Sequence, residues 1–154
     1  MKRFIRHQVL LPMLALAAAC GLSSCGIGFN RDWKAAQKAP HDELSGAWTG
    51  SWVSEATGHK GKLKAIISQP DAAHPHDRTV RYWASWKRIL SATFVTQHTF
   101  TPLGGRYVLT GHHQMPAWIG GEYTYGGTST STEFSASYRS SLDHGTFEMK
   151  RQPD

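Results

Sequence analysis

Thr132-Glu133-Phe134-Ser135-Ala136-Ser137-Tyr138-Arg139-Ser140, continued through Ser141-Leu142-Asp143-His144 into Gly145-Thr146-Phe147-Glu148-Met149-Lys150-Arg151, decides how the chain is read. Phe134, Ala136 and Tyr138 alternate with Glu133, Ser135, Ser137 and Arg139. Past the turn, Phe147 and Met149 alternate with Thr146, Glu148 and Lys150. Successive side chains of an extended strand point to opposite faces, so a period of two describes two strands, each apolar on one side. On a helix the same residues would be scattered around the circumference.

The pattern recurs toward the N-terminus in six further segments. Segment 46–55 carries Trp48 and Trp52, and Thr57-Gly58-His59 turns it into 62–69, where Leu63, Ala65 and Ile67 share a face. A loop over 70–77 leads to 79–87, with Val80, Tyr82, Ala84 and Trp86 in phase, and then to 92–101, with Phe94, His98 and Phe100 in phase. Leu103-Gly104-Gly105 turns into 106–113, where Tyr107, Leu109, Gly111 and His113 align. Segment 118–127 aligns Ile119, Gly121, Tyr123 and Tyr125. Eight alternating strands joined by short turns predict an all-β fold over 46–152, an eight-stranded antiparallel up-and-down barrel or a two-sheet sandwich. The barrel is the expectation, because closure removes exposed strand edges, and no helix spacing suited to parallel crossovers occurs.

Composition fits one domain. The chain has 154 residues, 18% charged and 11% aromatic, with six tryptophans, which excludes a disordered acidic or basic tail. The net charge of +6 would suggest nucleic acid if it were spread over the domain. Lys2, Arg3 and Arg6 supply half of it, so no nucleic-acid partner is expected.

Those three cations belong to an address segment. A basic start is followed by the apolar run 9–19, shorter than the roughly 20 residues that span a bilayer, as in a secretory signal. Leu22-Ser23-Ser24-Cys25 resembles the lipobox of bacterial lipoproteins. The resemblance implies cleavage before Cys25 and lipidation there, giving a signal peptide over 1–24 and a lipidated tether over 25–45. Ala17-Ala18-Ala19-Cys20 is a rival box without the preferred leucine. Cleavage at Cys25 removes Cys20, leaving no cysteine pair in the mature chain for a disulfide, redox or metal role. Gly26 follows the cysteine, where aspartate favours inner-membrane retention in well-studied diderm bacteria, so the resemblance points to an envelope location at the outer rather than the inner membrane. Within the tether, 26–30 reads as a linker and 32–39 as one or two helical turns stopped by Pro40, with a further short turn at 42–45.

Gly46-Ala47-Trp48, at the start of the first strand, resembles the Gly-x-Trp signature of lipocalins and avidins. In lipocalins a basic residue of the last strand packs over that tryptophan and closes the barrel floor. Lys150 or Arg151 stands in the corresponding place, so Gly46, Trp48 and Arg151 are implied as closure residues. The chain departs from the family in its shorter domain, in lacking a mature disulfide, and in having no clear helix after the barrel. Ser45 to Trp52 together with Asp143 to Met149 also resembles the ends of small envelope proteins of no known activity.

Chemistry-bearing motifs are sparse. His74-Pro75-His76-Asp77 lies in a loop without further ligands at recognisable spacing, and His112 and His113 face opposite sides of a strand, so no metal site is expected. His98 and His113 fall on the inward phase, where an imidazole is a core residue or, as the alternative, a haem ligand; the core reading is taken, so no cofactor is expected. Glu55, Glu122, Glu133 and Glu148 fall outward or at strand ends and give no glycosidase pair. The serines lack a Gly-x-Ser-x-Gly elbow, and no catalytic residue is assigned. Lys60, Lys62 and Lys64 form a stripe that reads as a solvated strand face, or as a contact for anionic lipid or polysaccharide.

The inward aromatic set is the distinctive feature. Trp52, Tyr82, Trp86, His98, Tyr107, His113, Tyr123 and Tyr138 are the candidates for lining a ligand cavity, beside the small residues Gly50, Ala65, Ala84, Gly111, Gly121 and Ala136. Rings against small residues equally describe a filled core. The expectation is a non-enzymatic envelope protein, anchored to a membrane by lipid, whose barrel takes a small apolar or amphiphilic ligand. The alternative is a structural or protein-interaction module with a filled barrel and a protein partner of unspecified kind.

Overall fold

The structure is a computed structural model that describes residues 27–87 and 90–153. Eight strands follow one another around a closed antiparallel barrel, each paired with its sequence neighbours and β1 with β8. They are β1 (Gly46–Ser54), β2 (Lys60–Ile67), β3 (Asp77–Trp86), β4 (Leu90–Leu103), β5 (Arg106–Gln114), β6 (Glu122–Ser129), β7 (Glu133–Arg139) and β8 (His144–Arg151). The up-and-down topology expected from the alternating segments is therefore the observed one.

Burial follows the period of two. β7 alternates strictly, with Phe134, Ala136 and Tyr138 buried and the residues between them exposed. The cross-strand register carries those positions around the wall: Phe134 pairs with Met149, Ala136 with Phe147, and Gly50 with both Met149 and Leu63. One interior cluster joins Leu44, Trp48, Leu63, Ile67, Tyr82, Phe100, Leu109, Phe134, Phe147 and their neighbours. Gly50 shows how tightly the wall coils: a Cβ there would lie 1.9 Å from the carbonyl oxygen of Glu148 in the adjoining strand, so only hydrogen fits.

Because odd strands rise and even strands descend, the barrel has two distinct ends. Gly46 and Arg151, the first and last barrel residues, lie at the lower end with the loops over 68–76, 104–105 and 130–132. The upper end carries the β1–β2, β3–β4, β5–β6 and β7–β8 connections.

Two segments differ from the sequence reading. β6 was expected to begin at Trp118, since Ile119 and Gly121 keep the alternation. Instead Ala117–Ile119 is a 3-10 turn, and Gly120 and Gly121, with φ of +118° and +67°, reverse the chain before β6 starts at Glu122. Pro116 opens that turn, and Trp118 is left 79% exposed. The other difference is the tether. Residues 27–38 form a helix, α1, so 27–30 are helical rather than linker. Phe29, Trp33 and Ala36, at helical spacing, face the barrel and pack on Ala47, Ile66 and Trp83 outside its wall. The indole of Trp33 donates to the Trp48 carbonyl at 3.0 Å, and Arg81 pairs with Asp32 at 2.7 Å. Among the described residues no helix is long and apolar enough to cross a membrane.

Candidate functional site

The lower end is closed by one side chain. Arg151 lies with its guanidinium 4.9 Å from the centre of the Trp48 ring. It also donates to the carbonyls of Ser45 and Ser131, each at 2.6 Å, and to those of Asp42 and Glu43. Trp48 is fully buried, and its indole N–H donates to the Leu44 carbonyl at 2.9 Å. Gly46, with φ of +113°, makes the bend from 42–45 into β1, and a Cβ there would meet the Arg151 guanidinium at 3.3 Å. The sequence left Lys150 and Arg151 as alternatives. Strand phase separates them, because Lys150 is exposed and Arg151 half-buried at the floor.

A second basic residue braces the same floor. Arg78, 8% exposed, pairs with Asp42 at 2.9 Å and donates to the Ser68 carbonyl. Asp42 Oδ1 accepts from the backbone N–H groups of Leu44 and Ser45, while Ser45 Oγ accepts from the Asp42 N–H, the reciprocal pattern of a capping box. Burial raises the Asp42 carboxyl, but the Ser45 and Leu44 donors and Arg78 outweigh it and hold the group down at about 2. Asp42 and Arg78 were not singled out from the sequence. Asp42-x-x-Ser45 was the available local signal, whereas Arg78 is 36 residues away from its partner.

The barrel interior is bridged by rings from opposite walls. Phe100 of β4 meets Phe134 of β7 with centroids 6.5 Å apart, and Tyr82 of β3 meets Phe147 of β8 at 5.5 Å. Phe147 also touches Tyr138 at 5.0 Å and Tyr125 at 6.1 Å. His98 is 1% exposed among Tyr82, Phe100 and Tyr125. Its Nε2 shares a 3.2 Å hydrogen bond with the Tyr82 hydroxyl, and its Nδ1 lies against Gly111 without a hydrogen-bonded partner. A Cβ at Gly111 would stand 2.2 Å from that nitrogen, so this glycine is what admits the imidazole to the core. Burial pushes the His98 imidazole down to about 4, with the Thr110 carbonyl only partly opposing it. The Tyr82 and Tyr125 phenols are pushed up, mainly by burial.

The eight cavity candidates do not converge on one place. Tyr107 stands at the floor, where its hydroxyl donates to Glu43 at 2.7 Å and that bond raises the phenol. Tyr82 and His98 occupy the centre. Trp52, Trp86, His113, Tyr123 and Tyr138 ring the upper end. There the Trp52 indole donates to the Ser85 carbonyl at 3.0 Å, and the Tyr123 hydroxyl donates to the Ile119 carbonyl at 2.9 Å. Tyr138 stacks on Tyr123 at 6.1 Å and donates to Asp143, which also accepts a 2.6 Å bond from Ser54. Burial, followed by the Asp143 charge, raises the Tyr138 phenol. Trp86 and His113 are half-buried at the ends of β3 and β5. The Ser54–Asp143 clasp joins positions 89 residues apart and left no sequence signal.

Outside the barrel, Thr79, Gln97, Thr99, Thr110, His112 and Thr124 line an open groove of about 830 Å³ across β3 to β6. Its wall is uncharged except near its ends, where Asp71, Asp77 and Glu122 stand. Among the described residues no group of three His, Cys, Asp or Glu side chains could hold a metal ion. Lys64 leaves the expected basic stripe: its ammonium lies 4.4 Å over Trp33 and donates to Asn30, fastening α1. Cys25 and the rival Cys20 lie outside the described residues. Comparison with protein-family models, curated proteins and solved structures finds no match to this chain.

Proposed function

We propose that the chain is a lipid-anchored, non-enzymatic protein of the bacterial cell envelope whose barrel is a filled scaffold, acting through its surface rather than by carrying a molecule inside. Of the two functions the sequence left in competition, this is the interaction module. The observation that carries it is the contact of rings across the interior, Phe100 with Phe134 and Tyr82 with Phe147. A drug-sized ligand needs a cavity of about 300 Å³ or more. Admitting one here would require those rings to leave both each other and their rotamers. The phenols support the same reading, since Tyr82, Tyr107, Tyr123 and Tyr138 each spend their hydroxyl on a protein partner. The anchor rests on the basic start, the short apolar run and Leu22-Ser23-Ser24-Cys25.

Two measurements test the two halves. Fatty-acid labelling of cells is expected to mark the wild-type protein and to fail for Cys25→Ala; label that persists there but disappears with Cys20→Ala moves the anchor to the other box. Native mass spectrometry of the purified protein is expected to give the mass of the polypeptide and its lipid alone. A small molecule retained in stoichiometric amount, and lost on denaturation, would restore the carrier reading.

A further inference from the structure

We infer that the upper end of the barrel rests on the surface of the membrane that holds the anchor, with Trp118 in the interface and Lys60, Lys62 and Lys87 facing anionic headgroups. The inference deepens the anchored-protein reading and rests on it.

Three independent features of the molecule converge on that end. The first is the distribution of exposed apolar side chains. Among the described residues Leu90, Trp118 and Leu142 lie at the upper end and Val53 on the upper outer wall, Ile27 and Val95 lie beside the middle of the wall, and Leu103 stands at the floor. Scattered apolar groups on a soluble surface need no explanation, but a one-sided set does. Trp118 is the most exposed of them, and a 3-10 turn bounded by Pro116 and Gly120 presents it. Tryptophan is the side chain that favours the headgroup region, because its ring is amphipathic.

The second feature is charge. Lys60 is exposed at the end of the β1–β2 connection and Lys87 at the start of the β3–β4 connection, with Lys62 one turn of the pleat below Lys60. None of the three has a carboxylate partner among the described residues. Of the acids of that end, Asp143 is committed to Ser54 and Tyr138 and Glu55 lies 3.8 Å from His144, while Glu122 is exposed at the start of β6, on the far side of the rim from Lys60 and Lys87. Unpaired lysines beside exposed apolar groups are suited to an anionic lipid surface.

The third feature selects a membrane over a protein partner. α1 descends the wall toward the floor. Near its start Phe29 lies under Arg81 and Asn30 bonds Lys64, while beyond its end the Pro40 carbonyl accepts from Gln69 and the chain enters the floor at Gly46. The start of α1 therefore lies beside the middle of the wall, and the chain before it leads away from the floor. Cys25 precedes Ile27 by two residues, a distance of at most about 7 Å of extended chain. A lipid attached at Cys25 would hold the bilayer on the upper-rim side of α1, leaving the floor directed away from it.

The test uses the full, lipidated chain in vesicles of phosphatidylethanolamine and phosphatidylglycerol that contain phosphatidylcholine brominated high on its acyl chains. Bromine quenches only indoles that reach the interface. Wild-type emission is expected to be quenched, and Trp118→Phe to lose most of that quenching, since the other described tryptophans are buried or half-buried. Quenching that is absent, or undiminished in Trp118→Phe, overturns the inference. So does a Trp118 shielded from aqueous iodide as well as from brominated lipid, which would place a protein, or a second copy of the chain, on that end. Fatty-acid labelling of the same preparation separates the two readings. A labelled but unquenched protein keeps its anchor and loses its docking, whereas a Cys25 without label removes the geometric premise of both.

Discussion

The two ends of the barrel are built on opposite principles. At the floor the two principal polar groups are each committed several times over: Arg151 serves four carbonyls and one indole ring, and Asp42 serves two backbone donors and Arg78, whose Nε is the one buried floor nitrogen left without a partner among the described residues. Among the described residues the upper end has one comparable clasp, Ser54 with Asp143 and Tyr138, and it leaves Trp118, Leu142 and Leu90 in solvent. Satisfied buried groups create rigidity and leave little for a partner, while exposed apolar groups contribute nothing to folding and are available for contact. The contrast teaches that stability should be concentrated at the floor and function at the rim or on the outer wall. Substitutions at each end can break that division.

The largest effect is expected from Trp48→Ala. The ring is fully buried, meets Phe134 at 6.2 Å and lies beneath Arg151, so its loss leaves a cavity and an uncovered cation. A cost of about 3 to 5 kcal/mol is expected, read as a fall in the midpoint of chemical unfolding. An unchanged midpoint would show that the floor is not where the barrel is held.

The next effect depends on pH and belongs to the middle layer. His98 has a folded value of about 4 against an ordinary value of 6.5. The unfolded chain therefore binds the proton more tightly than the native one. Stability from the neutral imidazole is fully present above pH 6.5 and is lost as pH falls toward 4, by an amount on the order of 3 kcal/mol. Thermal unfolding across that window should show the loss in the wild type and a flatter profile in His98→Gln, which still offers Tyr82 a polar partner. Equal slopes in the two proteins would mean that other groups govern the acid side.

Arg151→Met keeps much of the aliphatic cover over Trp48 and removes the cation and its donors. The ring contact is worth about 0.5 to 2 kcal/mol, and some of the carbonyls freed at this half-buried site can turn to water. A total near 2 kcal/mol is expected in equilibrium unfolding, smaller than for Trp48→Ala. Lys150→Met, on the exposed phase of the same strand, should be close to neutral. If the two were equal, the floor would be held by Trp48 packing alone.

How much of this division could be read from the sequence follows from the range of the interactions involved. Period-two alternation is local, and at Phe134, Ala136, Tyr138 and Phe147 it fixed both the strands and the inward face. It failed at Trp118 because Ile119 and Gly121 preserve the alternation while glycine backbone conformation ends it. It also missed the true extent of α1, whose Phe29 is apolar for the sake of Trp83 and Ile66, residues of strands that the helix meets only after folding. Of the site, Gly46, Trp48 and the choice between Lys150 and Arg151 were visible near the chain ends. Arg78 with Asp42, and Ser54 with Asp143, were not, since no local pattern links residues so far apart. Whether the inward rings line a cavity or fill it was likewise undetermined, because phase assigns a side and not the distance across the barrel.

The smallest effect is expected at the rim, and its smallness is what the comparison requires. Trp118 is 79% exposed on the 3-10 turn, has no ring contact within the barrel, and donates no hydrogen bond from its indole among those described. Replacing it by serine removes apolar surface that folding never buried, so the midpoint of unfolding should move by less than about 0.5 kcal/mol. The turn itself is held by main-chain bonds from Ile119 and Gly121 to the Pro116 carbonyl and from Gly120 to the Ala117 carbonyl, none of which involves the indole. A Trp118→Ser protein that unfolds with the wild type would leave the rim free of any part in folding and its exposed ring available for contact outside the chain. A loss comparable to that of Arg151→Met would instead make the turn part of the fold and erase the difference between the two ends.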